Sequence, residues 1–535
     1  MSAKLSVLEK MRNRKGIDGL LFAGWRGSLV LILGLFVALF FAVGFWWVYW
    51  RSADMDTWMV YEAFLFDDGL RQEYFDHPGY LTILLLGEWF RLLHAVGLLP
   101  ANALSALPPV ADTAASAAAW MHATQAARLL SLLLALSFLL SFAGLMRVWL
   151  RDWRIAALSM FMLAFSGGMM MEARTMRTEL IAAGCAYTAL LILLVVHRAP
   201  PVARLALVAL ASCLAMLAMT NKVHIVFLLA AMAPLVVILD LNEPRELGRA
   251  GVAVAIGAVV AAVVLAVLAW PLARAGLFDP AIVAQRQALL GTGLPVQQVA
   301  IALWFSLWIA LYAVRARLGA VESVAAVAAL VAGGALGLLT LELRYDLQNV
   351  VAVLNPFETM FAFAAGSHPD LMAGGAVAGG SAFKLVLDGV MLLAARLTFV
   401  LASSPRPTIF LEWAVFAMLI YGWRQGHRRI VLQAAAIIGA SLAVDLVGTV
   451  RGLKLEYFLI TDPLVIMAAG LLLVKMPELL THRLTYPLGA ALICATVAVG
   501  LAEPVKHSLK RDKPLDFCVP HYGKTQRVER FSFCP

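Results

Sequence analysis

The stretch Gly27–Trp50, GSLVLILGLFVALFFAVGFWWVYW, runs for 24 residues without a charged side chain. At ~1.5 Å of rise per residue, a helix of that length covers the ~30 Å hydrocarbon core of a bilayer. Lys4, Lys10, Arg12, Arg14, Lys15 and Arg26 precede it. The order is that of a signal peptide, but the apolar run is longer than an h-region and no small-residue cleavage site follows. The segment reads as an uncleaved anchor. The rest of the chain repeats the theme: of 535 residues 62% are hydrophobic and only 14% charged, against roughly 25% charged in soluble proteins. The mean hydropathy is +0.86. A cytosolic enzyme, a disordered chain, a collagen and a disulfide miniprotein are excluded. Lipid offers backbone amides no partner but one another, so the expected fold is all-α, a polytopic membrane protein. The net charge of +9 then belongs to loops and anionic headgroups, with no nucleic-acid partner.

Seven short basic segments set the topology: the N-terminus, Arg147/Arg151/Arg154, Arg198/Arg204, Arg245/Arg249, Arg315/Arg317, Arg424/Arg428/Arg429 and Lys475/Arg483. The positive-inside bias puts all seven in the cytoplasm. Apolar spans fit between them at about 27–49, 125–147, 155–171, 178–196, 204–220, 223–240, 250–272, 297–314, 322–341, 408–423, 430–450, 457–474 and 484–502, which makes 13 crossings with the C-terminus outside. Pro78–Leu98 is refused a crossing, because crossing there would put Arg147, Arg151 and Arg154 outside. Its Glu88, Arg91 and His94 recur every third residue, which predicts one polar face on a helix lying in the outer interface.

The organisation is thus a cytoplasmic N-terminus (1–26), a transmembrane module (27–240) with a long external loop (51–125), a second module (241–502) with an external region (342–407), and an external tail (503–535). Within 342–407 the apolar pieces 347–365 and 382–402 either both cross or both stay out. Cys185, Cys213 and Cys494 fall in spans and are expected to pack. Cys518 and Cys534 lie in the tail, where an oxidising compartment would let them pair. The chain carries no Walker loop, GxGxxG, GxSxG or CxxC.

Ionised groups at bilayer depth cost about 2.5–3.5 kcal/mol or more, so polar residues near the span ends need a reason. The first external loop opens with Arg51-Ser-Ala-Asp54-Met-Asp56-Thr-Trp58, then Tyr61 and Glu62. In a helix Asp54, Trp58, Tyr61 and Glu62 share a face while Asp56 points elsewhere. Further on, Asp76-His77-Pro78-Gly79-Tyr80 enters the interfacial helix, with His77 near its positive end. Glu172-Ala-Arg174-Thr-Met-Arg177-Thr-Glu179 joins two spans, and its two guanidiniums suit a phosphate if a helix starts there; alternatively they snorkel. Thr220-Asn221-Lys222-Val223-His224 adds a cation, and Arg451-Gly-Leu-Lys454-Leu-Glu456-Tyr457 lies late in the chain with Asp445 before it.

In this order the groups resemble the GT-C superfamily of polyprenyl-phosphate-sugar-dependent glycosyltransferases, and most nearly its family 39 protein mannosyltransferases and lipid A aminoarabinose transferases. Asp54-Met-Asp56 is similar to the family's acidic pair and His77-Pro78-Gly79 to its Lys/His-Pro-Pro element. Arg128-Leu-Leu-Ser131 matches the Arg heading the next span, and Arg174, Arg177 and Glu179 match the Arg-x-x-Arg-x-Asp/Glu turn. Thr220-Asn-Lys222 corresponds to Thr-Lys-Gly, and Glu456-Tyr457-Phe458-Leu459 to the late Arg-Tyr-x-Leu-Pro span. The sequence departs from the family by Met55 splitting the acids, by Asn221 within Thr-Lys, and by Glu456 in place of Arg, which leaves Arg451 or Lys454 to supply that charge.

The resemblance implies an inverting enzyme in the plasma (inner) membrane. It would move a sugar from a polyprenyl-phosphate donor to a glycolipid, polysaccharide or protein at the outer face. Asp54 or Asp56 would be the base, and His77, Arg174, Arg177, Lys222, Arg451, Lys454 and Tyr457 would bind substrate. No cofactor is expected, although Asp54 and Asp56 have the donor chemistry for a divalent metal. The rival readings are a flippase of lipid-linked sugars and an O-antigen ligase or polymerase.

Overall fold

The computed structural model describes residues 24–48, 56–70, 79–239, 296–316, 318–342, 382–398, 408–448, 455–481 and 485–509. Among these residues all regular structure is helical. Seven helices are long and apolar enough to cross a bilayer, which makes this an all-α, membrane-embedded protein. The helices are α1 (Gly24–Val43), α2 (Trp58–Asp67), α3 (Tyr80–Ala95), α4 (Thr113–Leu150), α5 (Trp153–Ala164), α6 (Gly167–Glu172), α7 (Thr178–Val195), α8 (Pro201–Asn221) and α9 (Ile225–Leu239). They continue with α10 (Val296–Arg315), α11 (Ala320–Glu342), α12 (Ala382–Thr398), α13 (Ile409–Arg424), α14 (Arg428–Gly448), α15 (Asp462–Lys475), α16 (Glu478–Thr481) and α17 (Thr485–Leu509). The expected spans at 250–272 and 347–365, and with them the choice between crossing and staying out, fall outside the described residues, as do Cys518 and Cys534.

Three boundaries differ from the sequence reading, each for a local reason. The span expected at 125–147 belongs to α4, a helix of 38 residues, roughly 57 Å long at ~1.5 Å per residue. Asp112 caps it, its Oδ1 accepting from the Ala115 amide at 3.1 Å. The alanine-rich run from Ala114 to Ala119 has the intrinsic propensity to carry it beyond the apolar stretch, so the loop expected to end at 125 ends near Asp112. The span expected at 155–171 breaks after Ala164. Ser166 starts a new helix by accepting from the Met169 amide at 3.3 Å, and Gly168 lets the chain press on the Leu459 backbone, where a Cβ would lie 2.6 Å from the Leu459 nitrogen. The span expected at 457–474 opens as a tight turn, Leu455–Ile460, before α15 begins with Pro463 in its first turn.

The two ends of the bundle differ. At one end α1 starts beside the end of α4, where Arg147 stacks on Trp25 at 5.0 Å. Arg198 donates there to the Trp149 carbonyl at 3.1 Å, so basic segments assigned to one side by charge do meet. At the other end α2, α3 and the first turns of α4 build a small cap around Phe64, Phe90 and Trp120. The polar face of α3 lies at the edge of this cap and stays partly exposed, Glu88 by 41% and Arg91 by 36%. Arg91 bridges Asp67 at 2.5 Å and Glu88 at 3.1 Å, and His94 Nδ1 bonds the Leu99 carbonyl at 2.9 Å.

Candidate functional site

Beneath that cap lies a buried polar centre built from segments far apart in the chain. Asp56 sits in the lead-in turn of α2 and is 0% exposed. Its Oδ2 accepts from Arg128 Nε at 3.0 Å and Nη2 at 2.8 Å, and its Oδ1 accepts from the Met176 amide at 2.5 Å. Burial pushes this carboxyl above its ordinary range, while the Arg128 guanidinium and the Met176 amide pull it back. Three N–H donors converging on two oxygens suit the carboxylate form. Arg128, itself 0% exposed on α4, also donates from Nη1 to the carbonyls of Phe45 at 3.1 Å and Trp47 at 2.6 Å.

Trp47 links this pair to Arg174. Its ring lies 5.7 Å from the Arg128 guanidinium and 5.2 Å from that of Arg174, a cation–π arrangement at dry distances. Arg174 donates to the Pro504 carbonyl of α17 at 3.2 Å and contacts the Met171 sulfur at 2.8 Å. Gly44 makes the close approach feasible, since a Cβ there would stand 2.7 Å from Arg174 Cβ.

No helix starts at Arg174, so the condition for Arg174 and Arg177 to share a helix face is not met. α6 ends at Glu172 and α7 begins at Thr178, so the two arginines leave a turn in different directions. Both are buried, which removes the snorkelling alternative. Arg177 bridges Glu172 at 3.2 Å and Glu179 at 3.5 Å. Glu179 in turn holds Lys222 Nζ at 2.6 Å. Lys222 stands over the Tyr457 ring at 5.6 Å, and the His224 ring packs on the same tyrosine at 5.6 Å.

Asn221, the departure from the Thr-Lys pattern, is a structural tie. Its Oδ1 accepts from the Thr82 amide and hydroxyl, both at 3.0 Å. Its Nδ2 donates to the Thr178 carbonyl at 2.7 Å, and its own carbonyl accepts from the Gly79 amide at 3.0 Å. One residue thereby joins α3, α7 and α8.

The structure therefore brings together Asp56, Arg174, Arg177, Lys222 and Tyr457. Asp54, His77, Arg451 and Lys454 lie outside the described residues. The sequence reading gave no site role to Arg128, Glu172 or Glu179. A lone arginine inside an apolar run was the signal for Arg128, and two glutamates flanking two arginines was the signal for the others. Among the described residues no group of three or more His, Cys, Asp or Glu is arranged to hold a metal ion, and both Asp56 oxygens are engaged by N–H groups. Compared with known proteins, the chain matches no family model, no curated protein and no solved structure.

Proposed function

We propose that the chain is a membrane glycosyltransferase that takes a sugar from a polyprenyl-phosphate donor at the outer face of a plasma (inner) membrane. One observation carries the reading. Carboxylates and cations as far apart in sequence as Asp56, Arg177 and Lys222, with Tyr457 beneath the ammonium, form one connected buried centre at the capped end of an apolar bundle. Burying several charges is expensive, and a protein that needed only to span lipid would not gather them. A lipid-phosphate sugar suits the setting, because its tail stays in the bilayer while its phosphate needs guanidinium and ammonium groups.

In this reading an Asp of the first loop takes the proton of an acceptor hydroxyl. The hydroxyl oxygen attacks the anomeric carbon with inversion, the bond from that carbon to the phosphate oxygen breaks, and polyprenyl phosphate leaves. Arg174, Arg177, Lys222 and His77 stabilise the charge on the departing phosphate. The acceptor is a glycolipid, a polysaccharide or a protein.

A transporter of lipid-linked sugars is the second reading. The break between α5 and α6 and the proline inside α9 favour it, since interrupted helices mark many transporters. Incubating purified protein with a panel of polyprenyl-phosphate sugars separates the two. The expected result is hydrolysis or transfer that is weakened when Arg174 and Arg177 are both replaced by Gln. Binding of a donor that is never cleaved, with or without acceptor, would favour the transporter.

A further inference from the structure

At the end of the bundle opposite the cap, one arginine holds a backbone conformation that disfavours its residue type. α4 closes on Arg151 with φ 60°, and among the described residues Arg151 is the one non-glycine residue with a positive φ. The left-handed position after a helix is usually a glycine, because a Cβ there crowds the neighbouring carbonyl oxygen. Closing the helix needs only a backbone N–H, which Arg151 donates to the Arg147 carbonyl at 2.9 Å. Glycine would supply that N–H without strain. The Arg151 side chain is exposed, and no ion pair among the described residues holds it. A strained residue kept where a cheaper one would serve points to work done by its guanidinium.

Arg198 brings a second guanidinium to the same place. It ends the turn Val196–Arg198 that follows α7, and its Nη2 donates to the carbonyl of Trp149, two residues before Arg151, at 3.1 Å. There it feels the like charge of Arg151. Among the described residues no carboxylate offsets that repulsion. Asp152, next in the chain, accepts with Oδ1 from the Arg154 and Ile155 amides at 2.8 and 3.2 Å, at the start of α5, and bridges neither arginine. Arg198 Nε is shielded from solvent and has no acceptor among the described residues. Two guanidiniums set side by side in this way suit a phosphate, whose oxygens accept from both at once.

We infer that Arg151 and Arg198 form a binding site for the phosphate headgroup of an anionic phospholipid. Position favours a lipid over a free phosphate. Each arginine stands where an apolar helix able to cross the bilayer ends, Thr113–Leu150 for one and Thr178–Arg198 for the other, and helix ends of this kind lie at headgroup level. Leading away from Arg151, α4 turns outward a stripe of Val148, Leu140 and Leu133, exposed by 44%, 43% and 47%. Gly144, in the same stripe, leaves open space beside it. An acyl chain can lie there while its phosphate meets the arginines. Such a phosphate joins the ends of α4 and α7, the helices that carry Arg128 and Glu179 at the capped end.

The test adds phosphatidylglycerol, phosphatidylcholine or inorganic phosphate to the full chain in neutral detergent. Native mass spectrometry counts bound copies, and the melting midpoint is followed in parallel. Phosphatidylglycerol should be retained as a tight first copy and raise the midpoint, while phosphatidylcholine and inorganic phosphate at the same concentration do neither. Arg151→Gly relieves the positive φ, so without lipid it should melt at or above the wild-type midpoint. Its first phosphatidylglycerol should nevertheless bind about tenfold more weakly, the loss of one charge-assisted contact. Arg198→Gln should weaken binding to a similar degree. The control Arg204→Gln/Arg424→Gln, which removes two exposed arginines of other basic segments, should bind as the wild type does. Equal weakening in that control would make the attraction diffuse charge and overturn the site. An affinity within about twofold of wild type in Arg151→Gly would reduce Arg151 to a helix cap. Equal stabilisation by inorganic phosphate would overturn the lipid as its ligand.

Discussion

The helix α7 and the helix α11 have similar lengths and apolar compositions, yet they are held in unlike ways. Of the apolar window of α7, 72% is buried, against 11% for that of α11. α7 is fixed by polar ties at its entrance (Arg177, Thr178 and Glu179) and by the Tyr187 hydroxyl, which donates to the Ile460 carbonyl at 2.6 Å. α11 meets α8 through small residues. Gly333 lies so close to Ala209 that a Cβ would clash with its carbonyl, and Gly337 packs on Cys213 and Met216. Ser212 adds one hydrogen bond, to the Leu330 carbonyl at 2.6 Å. Close backbone contact between small residues is how helices associate in lipid, where apolar side chains gain little by leaving it. Buried charges do something else: they fix direction and distance at one place. Packing builds the bundle, and ion pairs build the site.

The largest effect should come from breaking the ion pairs. Glu179→Ala removes the carboxylate that binds both Arg177 and Lys222, at 3.5 and 2.6 Å. Leaving a buried charge without its partner costs about 3–5 kcal/mol, so the variant should melt far below the wild type in detergent. Adding Lys222→Met should restore part of the loss, since the stranded ammonium is then gone. A fall of less than about 1 kcal/mol would place the pair among contacts that add nothing measurable.

How much of this was legible in the sequence depends on the kind of force. Most helices could be read from apolar runs, because twenty uncharged residues have few other options in a chain this hydrophobic. The basic segments around Arg147 and Arg198 announced that they belong at one end, and the structure gathers them there. The misreadings came where a single residue overrides hydropathy. Asp112 starts α4 far ahead of its apolar run, Ser166 and Gly168 interrupt a run that looked continuous, and the turn Leu455–Ile460 takes up the first four residues of an expected span. At the site, Arg174, Arg177 and Lys222 were identified as cations worth noticing, but nothing in their spacing says that Glu172 and Glu179 hold two of them. Pairing between segments more than forty residues apart leaves no periodic trace, so nothing in the sequence around Arg128 marks it as the partner of Asp56.

On the packing side the expected effect is smaller. Gly333→Ala forces α11 away from the Ala209 carbonyl, an overpacking usually worth about 1–3 kcal/mol. Ala209 and Lys222 are 13 residues apart along the chain of α8, roughly 19 Å at ~1.5 Å per residue. The Gly333→Ala loss should therefore add to that of Glu179→Ala within about 0.5 kcal/mol. Strong coupling would show that packing in the α8–α11 pair also sets the geometry of the polar centre, and the contrast between the two regions would fail.

The smallest effect belongs to a surface pair that matches the buried one in distance but joins a histidine, charged only when protonated, to its carboxylate. His427 Nε2 and Glu478 Oε1 lie 2.7 Å apart, close to the 2.6 Å of Lys222 and Glu179. The first pair is 37% and 36% exposed, the second 2% and 0%. At the surface, water solvates each partner when the other is lost, and salt screens the attraction within about 10 Å at 0.1 M. Glu478→Gln should cost less than about 1 kcal/mol, and that cost should shrink further as salt is raised. Distance is nearly equal in the two pairs, so the gap between this variant and Glu179→Ala reflects burial together with the second cation, Arg177, that Glu179 also holds. Two equal losses would mean that neither burial nor the second cation strengthens the polar centre, and the contrast between the two pairs would fail.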